Sequence, residues 1–198
     1  MEKTKQTRTL NKQFETREEG GRYFIEGYFA VFDEAYEIAP RIIERIEPTF
    51  FDSSMSGDIR ALINHNTDLV LGRTTAGTLT LSKDDHGLYG RIEINPDDTD
   101  AMNVYARVKR RDVTQASIGF EIIDESGQTL SDGTFETRLK DGILYEVTVC
   151  TFPAYMTTDL HARAKDLEAE RVRAHELYKQ NLLERMKRAN GSIATGVS

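Results

Sequence analysis

Three short stretches of the chain carry side chains whose types suit acyl transfer. His65 follows the apolar run Ala61-Leu62-Ile63 and Asn64, and precedes Asn66-Thr67-Asp68. It therefore stands where a strand gives way to a loop, a place in which a side chain can be both held and exposed. With an ordinary pKa of about 6.5, an imidazole there is a workable base at neutral pH. Ser117 lies within Gln115-Ala116-Ser117-Ile118-Gly119-Phe120-Glu121-Ile122. Strand alternation puts Ala116, Ile118, Phe120 and Ile122 on one face, and Gln115, Ser117, Gly119 and Glu121 on the other. Gly119, on the side of Ser117, leaves room for another backbone to approach. Glu146 lies within Leu144-Tyr145-Glu146-Val147-Thr148-Val149-Cys150 and shares its face with Thr148 and Cys150.

Taken singly, each of these has an ordinary reading: a structural histidine, an outward-facing serine, a solvated carboxylate. Taken together they form the parts of a triad. A carboxylate that accepts one ring N–H fixes the tautomer of a histidine and stabilises the imidazolium formed when the other nitrogen takes a proton from a serine. Spacing alone does not bring the three together, and Asp141 and Glu121 compete with Glu146 for the acidic role. Of the other histidines, His86 sits in an Asp-Asp-His-Gly turn, and His161 and His175 lie in a charged helical segment. Cys150 is a rival nucleophile, but Val149 and Phe152 flank it and no histidine or arginine is near in sequence to depress its pKa.

The elements that must position these residues are mostly strands. Arg22 to Phe32 is a nearly continuous aromatic and β-branched run, as expected of a strand buried on both faces. Further strands are predicted at Ala61 to Asn64, Leu79 to Leu81, Leu88 to Ile94, Ala116 to Ile123 and Ile143 to Phe152. Six or more short strands with Gly and Asp turns between them suggest a barrel or a sandwich. Two segments break this pattern. Pro96 to Asp100 supplies cap residues for a helix over Ala101 to Arg111. From Thr158 to Ala189 there is neither Gly nor Pro, and apolar residues recur at threes and fours, which predicts one long helix.

Composition sets the outer bounds. A chain of 198 residues suits one domain with or without an appendage. Its 38% hydrophobic content supports a core and excludes global disorder. The net charge of -7 gives no general reason to bind nucleic acid. A single cysteine cannot form an internal disulfide framework or a cysteine-based zinc site. No run reaches the length of a membrane span, and Met1 to Lys5 lack the apolar segment of a secretory signal, so an intracellular protein free of membrane is expected. The segment from Asp159 to Ser198 holds eight basic and six acidic residues, against 26 and 33 in the whole chain. This composition shift makes the long helix read as an arm outside the core.

The same stretches carry a family resemblance. Ile25-Glu-Gly-Tyr-Phe-Ala-Val-Phe-Asp, Ala61-Leu-Ile-Asn-His-Asn with Leu71-Gly-Arg-Thr, Ala116-Ser-Ile-Gly-Phe, and Tyr145-Glu-Val-Thr-Val-Cys-Thr-Phe-Pro-Ala resemble, in this order, the signature blocks of tailed-phage prohead maturation proteases. The resemblance spans about residues 22 to 156. It implies a mainly β fold with flanking helices (α+β), similar to the herpesvirus assemblins: a closed or partly open barrel of about six to eight strands, followed by the long C-terminal helix. With the composition of the two ends and the periodicity of the helix, it divides the chain into a flexible segment at 1–20, a protease domain at 21–157, the helix at 158–189 and a flexible tail at 190–198.

By the resemblance, the catalytic residues are Ser117 as nucleophile, His65 as base and Glu146 as the third member, with no metal or cofactor. Thr148 departs from the family's pattern, standing where serine is usual, and Glu47-Pro48-Thr49-Phe50 departs from a usual Pro-Gly-Ala-Phe-like segment. Oxyanion donors are expected from backbone N–H groups near Pro153-Ala154, from Arg73 or from Arg138, and the sequence does not choose among them. The substrates implied are the phage major capsid protein and scaffold protein, cut inside the assembling prohead in the host cytoplasm. No nucleic acid or membrane partner is implied, while self-cleavage and a homo-oligomer stay open. A rival reading keeps the barrel and drops the chemistry: a scaffolding module that binds capsid protein through its C-terminal helix.

Overall fold

A computed structural model describes residues 6–10, 14–151 and 158–194, with side chains over 14–151 and 163–186. Two sheets meet face to face. The first has four strands in the order β2 (Glu15–Glu19), β3 (Arg22–Val31), β9 (Gly87–Ile94) and β8 (Leu79–Lys83), all antiparallel. The second has seven. Its main path runs β1 (Gln6–Leu10), β10 (Gln115–Thr129), β11 (Phe135–Cys150), β5 (Ile42–Ile46) and β4 (Tyr36–Ala39), and a branch from β11 adds β6 (Arg60–Ile63) and then β7 (Asn66–Arg73).

The sheets do not close on one another, so of the closed or partly open barrel that the resemblance implies, the closed form is corrected to two open sheets. The cause lies in β11. Its 16 residues take β5 as a parallel partner at Phe135–Leu139 and β6 as a parallel partner on Glu146–Val149. Between these two stations the loop after β5 reaches in: Gly142 N–H donates to the carbonyl of Phe50 at 3.0 Å, and a Cβ at Gly142 would fall 2.2 Å from the Phe50 ring. The sheet forks around this aromatic instead of continuing around an axis.

The core fills the space between the sheets. Ile25, Phe29, Leu88 and Ile92 enter from the four-stranded sheet, and Ala116, Ile118, Phe120, Val147 and Val149 from the seven-stranded one. Phe50 stands edge-on to both Phe51 and Phe120, with ring centroids 5.0 and 5.3 Å apart, an arrangement aromatic pairs favour. Helix α1 (Thr99–Arg110) starts two residues before the predicted Ala101, because the Asp98 carboxylate accepts from the N–H groups of Asp100 and Ala101. Its Ala101, Val104, Tyr105 and Val108 face inward.

Strands also occur inside residues 1–20, where hydropathy gives no reason for them. β1 and β2 are polar, outermost strands that need only backbone partners to form. Helix α2 (Thr158–Ala194) runs past the predicted end at 189. Its early turns belong to the fold: Leu167 is fully buried among Ile38, Ile42 and Phe135. Arg163, also buried, donates to the buried carboxylate of Glu44 at 3.2 Å and to Glu125. From Val172 to Met186 the large apolar side chains are exposed, so only this later part answers to an arm outside the core.

Candidate active site

Strand register assembles the polar residues. β10 and β11 run antiparallel, with Ser117 opposite Thr148 and Gly119 opposite Glu146. Directly paired residues point to the same face of a sheet, so Ser117, Thr148 and Glu146 share one side of two adjacent strands. On the far side of β11, β6 runs parallel with Leu62 opposite Thr148 and Ile63 opposite Val149. The chain then turns back at Asn64-His65 into β7, Ile63 pairing with Asn66.

That turn explains how the histidine is held. Asn64 and His65 form a two-residue hairpin loop with φ values of 50° and 60°. Positive φ at both central positions is the signature of the turn whose twist suits a tight hairpin, normally filled by Asn-Gly. Asn tolerates this conformation, while a bulky side chain in the second place costs on the order of 1–2 kcal/mol. The surroundings enforce it: Asn64 N–H donates to the carbonyl of Val149 at 3.1 Å, and Asn64 Oδ1 accepts from Thr151 N–H at 2.9 Å. The loop is thus fastened to the end of the strand that carries Glu146.

His65 Nδ1 lies 2.6 Å from Glu146 Oε1, and Thr148 Oγ1 donates to Glu146 Oε2 at 2.6 Å. The Glu146 side chain is 3% exposed and that of His65 24%. A carboxylate so deeply buried is tolerable only with good partners, and here both of its oxygens have one. An ionised carboxylate can only accept, so Nδ1 carries the hydrogen and Nε2 keeps its lone pair in the neutral ring. The arrangement therefore leaves Nε2 as the nitrogen that can take a proton. Ser117 and Thr148 are both fully buried, so the chemistry-bearing face is not open to solvent along the strands.

The competing assignments lie elsewhere. Asp141 accepts from Ser53 Oγ at 2.7 Å, and Glu121 from the Tyr145 hydroxyl at 2.8 Å. The Cys150 thiol is buried and donates to the Gln115 carbonyl at 3.5 Å. His86 is exposed and packs edge-on against Tyr28, and His175 is exposed on α2. Both candidate oxyanion arginines are tied to carboxylates. Arg73 makes two bonds to Asp58, at 2.6 and 2.5 Å, which hold that carboxyl far below its usual range; Arg138 bonds Glu47 at 2.9 Å and Asp33 at 2.5 Å. Pro153 and Ala154 lie outside the described residues.

Two further residues bond within this cluster and have no role assigned from sequence. Thr148 shares the face of Glu146 by strand alternation, and a hydroxyl two residues from a mid-strand carboxylate is within reach of it. Asn64 had a local signal: Asn-His between Ile63 and Asn66 has the form of an Asn-Gly hairpin turn with histidine in the glycine place.

Comparison with known proteins bears on this geometry. The caudovirus prohead serine protease family matches the chain over residues 11–172. The prohead protease of Enterobacteria phage HK97 is 26% identical over 140 residues, which is 69% of this chain and 58% of that protein. The chain thus spans less than two thirds of the length of this curated relative. Among solved structures, the bacteriophage T4 capsid assembly protease is similar with a TM-score of 0.49 and 12% identity, over 77% of this chain and 100% of that one.

Proposed function

Because the chain belongs to the caudovirus prohead serine protease family, we propose that it is a serine endopeptidase that uses Ser117, His65 and Glu146 to cleave capsid and scaffold proteins inside the assembling prohead. The observation that carries this reading is the 2.6 Å contact of His65 Nδ1, in the turn between β6 and β7, with the buried Glu146 on β11, the strand next to the one that bears Ser117. Ser117 Oγ attacks the scissile carbonyl while His65 Nε2 takes its proton. The acyl-enzyme forms as the same imidazolium returns the proton to the leaving amine, and water repeats the sequence to release the acid. Glu146 holds the tautomer and stabilises the imidazolium, and Thr148 keeps the carboxylate turned toward His65. With Arg73 and Arg138 both engaged by carboxylates, the oxyanion falls to backbone N–H groups, each worth roughly 100- to 1000-fold in turnover.

Purified chain incubated with the major capsid protein of its own phage should release discrete fragments, read by intact-mass spectrometry. Ser117→Ala should release none while keeping the circular dichroism spectrum of the parent. Undiminished cleavage by the folded variant would remove Ser117 from the mechanism.

A further inference from the structure

The strand that carries Ser117 has its free edge covered by the chain's own N-terminal segment. β1 runs antiparallel to β10 from Gln6 opposite Phe120 to Leu10 opposite Ala116, and Thr9 lies directly opposite Ser117. The other edge of β10 is taken by β11 over the same residues. β1 is the outermost strand of its sheet. Its sequence, Gln-Thr-Arg-Thr-Leu, has one apolar residue, so the hydrophobic effect gives it little reason to stay.

An extended peptide is commonly bound by adding a strand to an exposed sheet edge, where main-chain hydrogen bonds supply affinity and alternate side chains supply specificity. An endopeptidase must also set the scissile carbonyl beside its nucleophile. On this chain the edge of β10 at Ala116–Phe120 meets both needs, and β1 fills it with an extended segment whose last two residues lie opposite Ser117 and Ala116.

Resting on the protease reading above, we propose that this edge of β10 is the site that receives the extended segment of the substrate, and that residues 6–10 occupy it in cis as a built-in competitor. The N-terminal strand must leave before a capsid-protein strand can pair with β10. A tethered competitor acts at an effective concentration on the order of millimolar, so it suppresses binding of free peptide while costing nothing in the chemical step. The expected signature is a change in KM with little change in kcat.

The test compares the full chain with a form lacking residues 2–13 and with the full-length double variant Thr7→Pro/Arg8→Pro. Adjacent prolines remove the N–H on both sides of the strand, so one of them deletes a donor toward β10. Truncation keeps Phe14, whose ring packs on Phe29. Cleavage of the major capsid protein should show KM lowered at least tenfold in both altered forms, with kcat within twofold. A fluorescein-labelled synthetic peptide of residues 1–13 should bind the truncated form carrying Ser117→Ala at least tenfold more tightly than the full chain carrying it. Folded truncated and proline forms with unchanged KM and no gain in peptide binding would overturn the proposal. Peptide binding gained on truncation with no cleavage by any form would instead sink the protease reading and leave the strand exchange standing.

Discussion

The two sheets spend buried polarity differently. The four-stranded sheet buries one charged residue, Glu26, which Arg17 meets at 3.1 Å. The strands of the seven-stranded sheet bury Glu44, Ser117, Glu136, Thr137, Glu146 and Thr148. Burying a polar group is costly unless it is hydrogen-bonded, so such a concentration in one sheet needs a reason beyond packing. Part of it is architectural: Glu44 receives Arg163 and fastens α2, and Glu136 receives Arg45. The rest lines up along Ser117, Thr148, Glu146 and the His65 turn. The four-stranded sheet turns an almost wholly apolar face to the core, whereas β10 and β11 of the other sheet pack Ala116, Ile118, Phe120, Val147 and Val149 on the core and carry Ser117, Glu146 and Thr148 on the opposite face.

The contrast breaks most sharply if the buried carboxylate is not functional. Glu146→Gln keeps the shape but presents an amide, which cannot stabilise the imidazolium and can enforce the wrong tautomer. We expect a loss of about 10,000-fold in kcat with the fold retained, and Asp141→Asn close to the parent, both from steady-state cleavage of capsid protein. The opposite ranking would hand the acidic role to Asp141.

The four-stranded sheet predicts the complementary result. Phe29 is fully buried against Phe14, and Phe29→Ala should cost about 3–5 kcal/mol in urea unfolding, while kcat of the folded fraction stays within a few-fold of the parent. A specific loss of kcat without destabilisation would blur the division between the sheets.

A smaller effect sharpens the reactive side. Thr148→Val preserves the β-branched shape and removes the donor to Glu146 Oε2. A hydrogen bond to a charged group is worth about 1.5–3 kcal/mol, so kcat should fall at least tenfold with KM unchanged, and Thr148→Ser should restore it. Equal losses in valine and serine variants would make the role one of packing alone. The smallest effect belongs to the exposed part of α2: Leu177→Ser should shift stability by no more than about 0.5 kcal/mol, checked by the same unfolding curve.

What the sequence displayed, and what it hid, follows the range of the interactions involved. β3 is legible because its aromatic and β-branched run is nearly continuous, β9 because its apolar residues alternate, and α1 because Asp98 caps it from next door. β4 and β5 are not, since Ile-Ile-Glu-Arg-Ile places in a strand a buried glutamate that is met by an arginine 119 residues later. β7 begins with the exposed residues Asn66-Thr67-Asp68, which read as loop, and β10 and β11 extend past their predicted bounds as a ribbon from Asp124 to Asp141 that is polar in sequence apart from a few residues such as the buried Phe135 and Leu139. In the site, His65, Ser117 and Glu146 were singled out by type and resemblance. The 2.6 Å contact between two of them depends on β6 and β11 lying side by side, which no local pattern reveals.

The central claim is that Ser117 is a nucleophile activated by His65. Its most direct test is covalent labelling of the purified chain with diisopropyl fluorophosphate, followed by peptide mapping in a mass spectrometer. The account predicts a single adduct on the peptide containing Ser117, formed at least 1000-fold more slowly in His65→Ala, in keeping with triad members acting as a unit. An adduct on another residue, or equal labelling of Ser117 with and without the His65 imidazole, would contradict it.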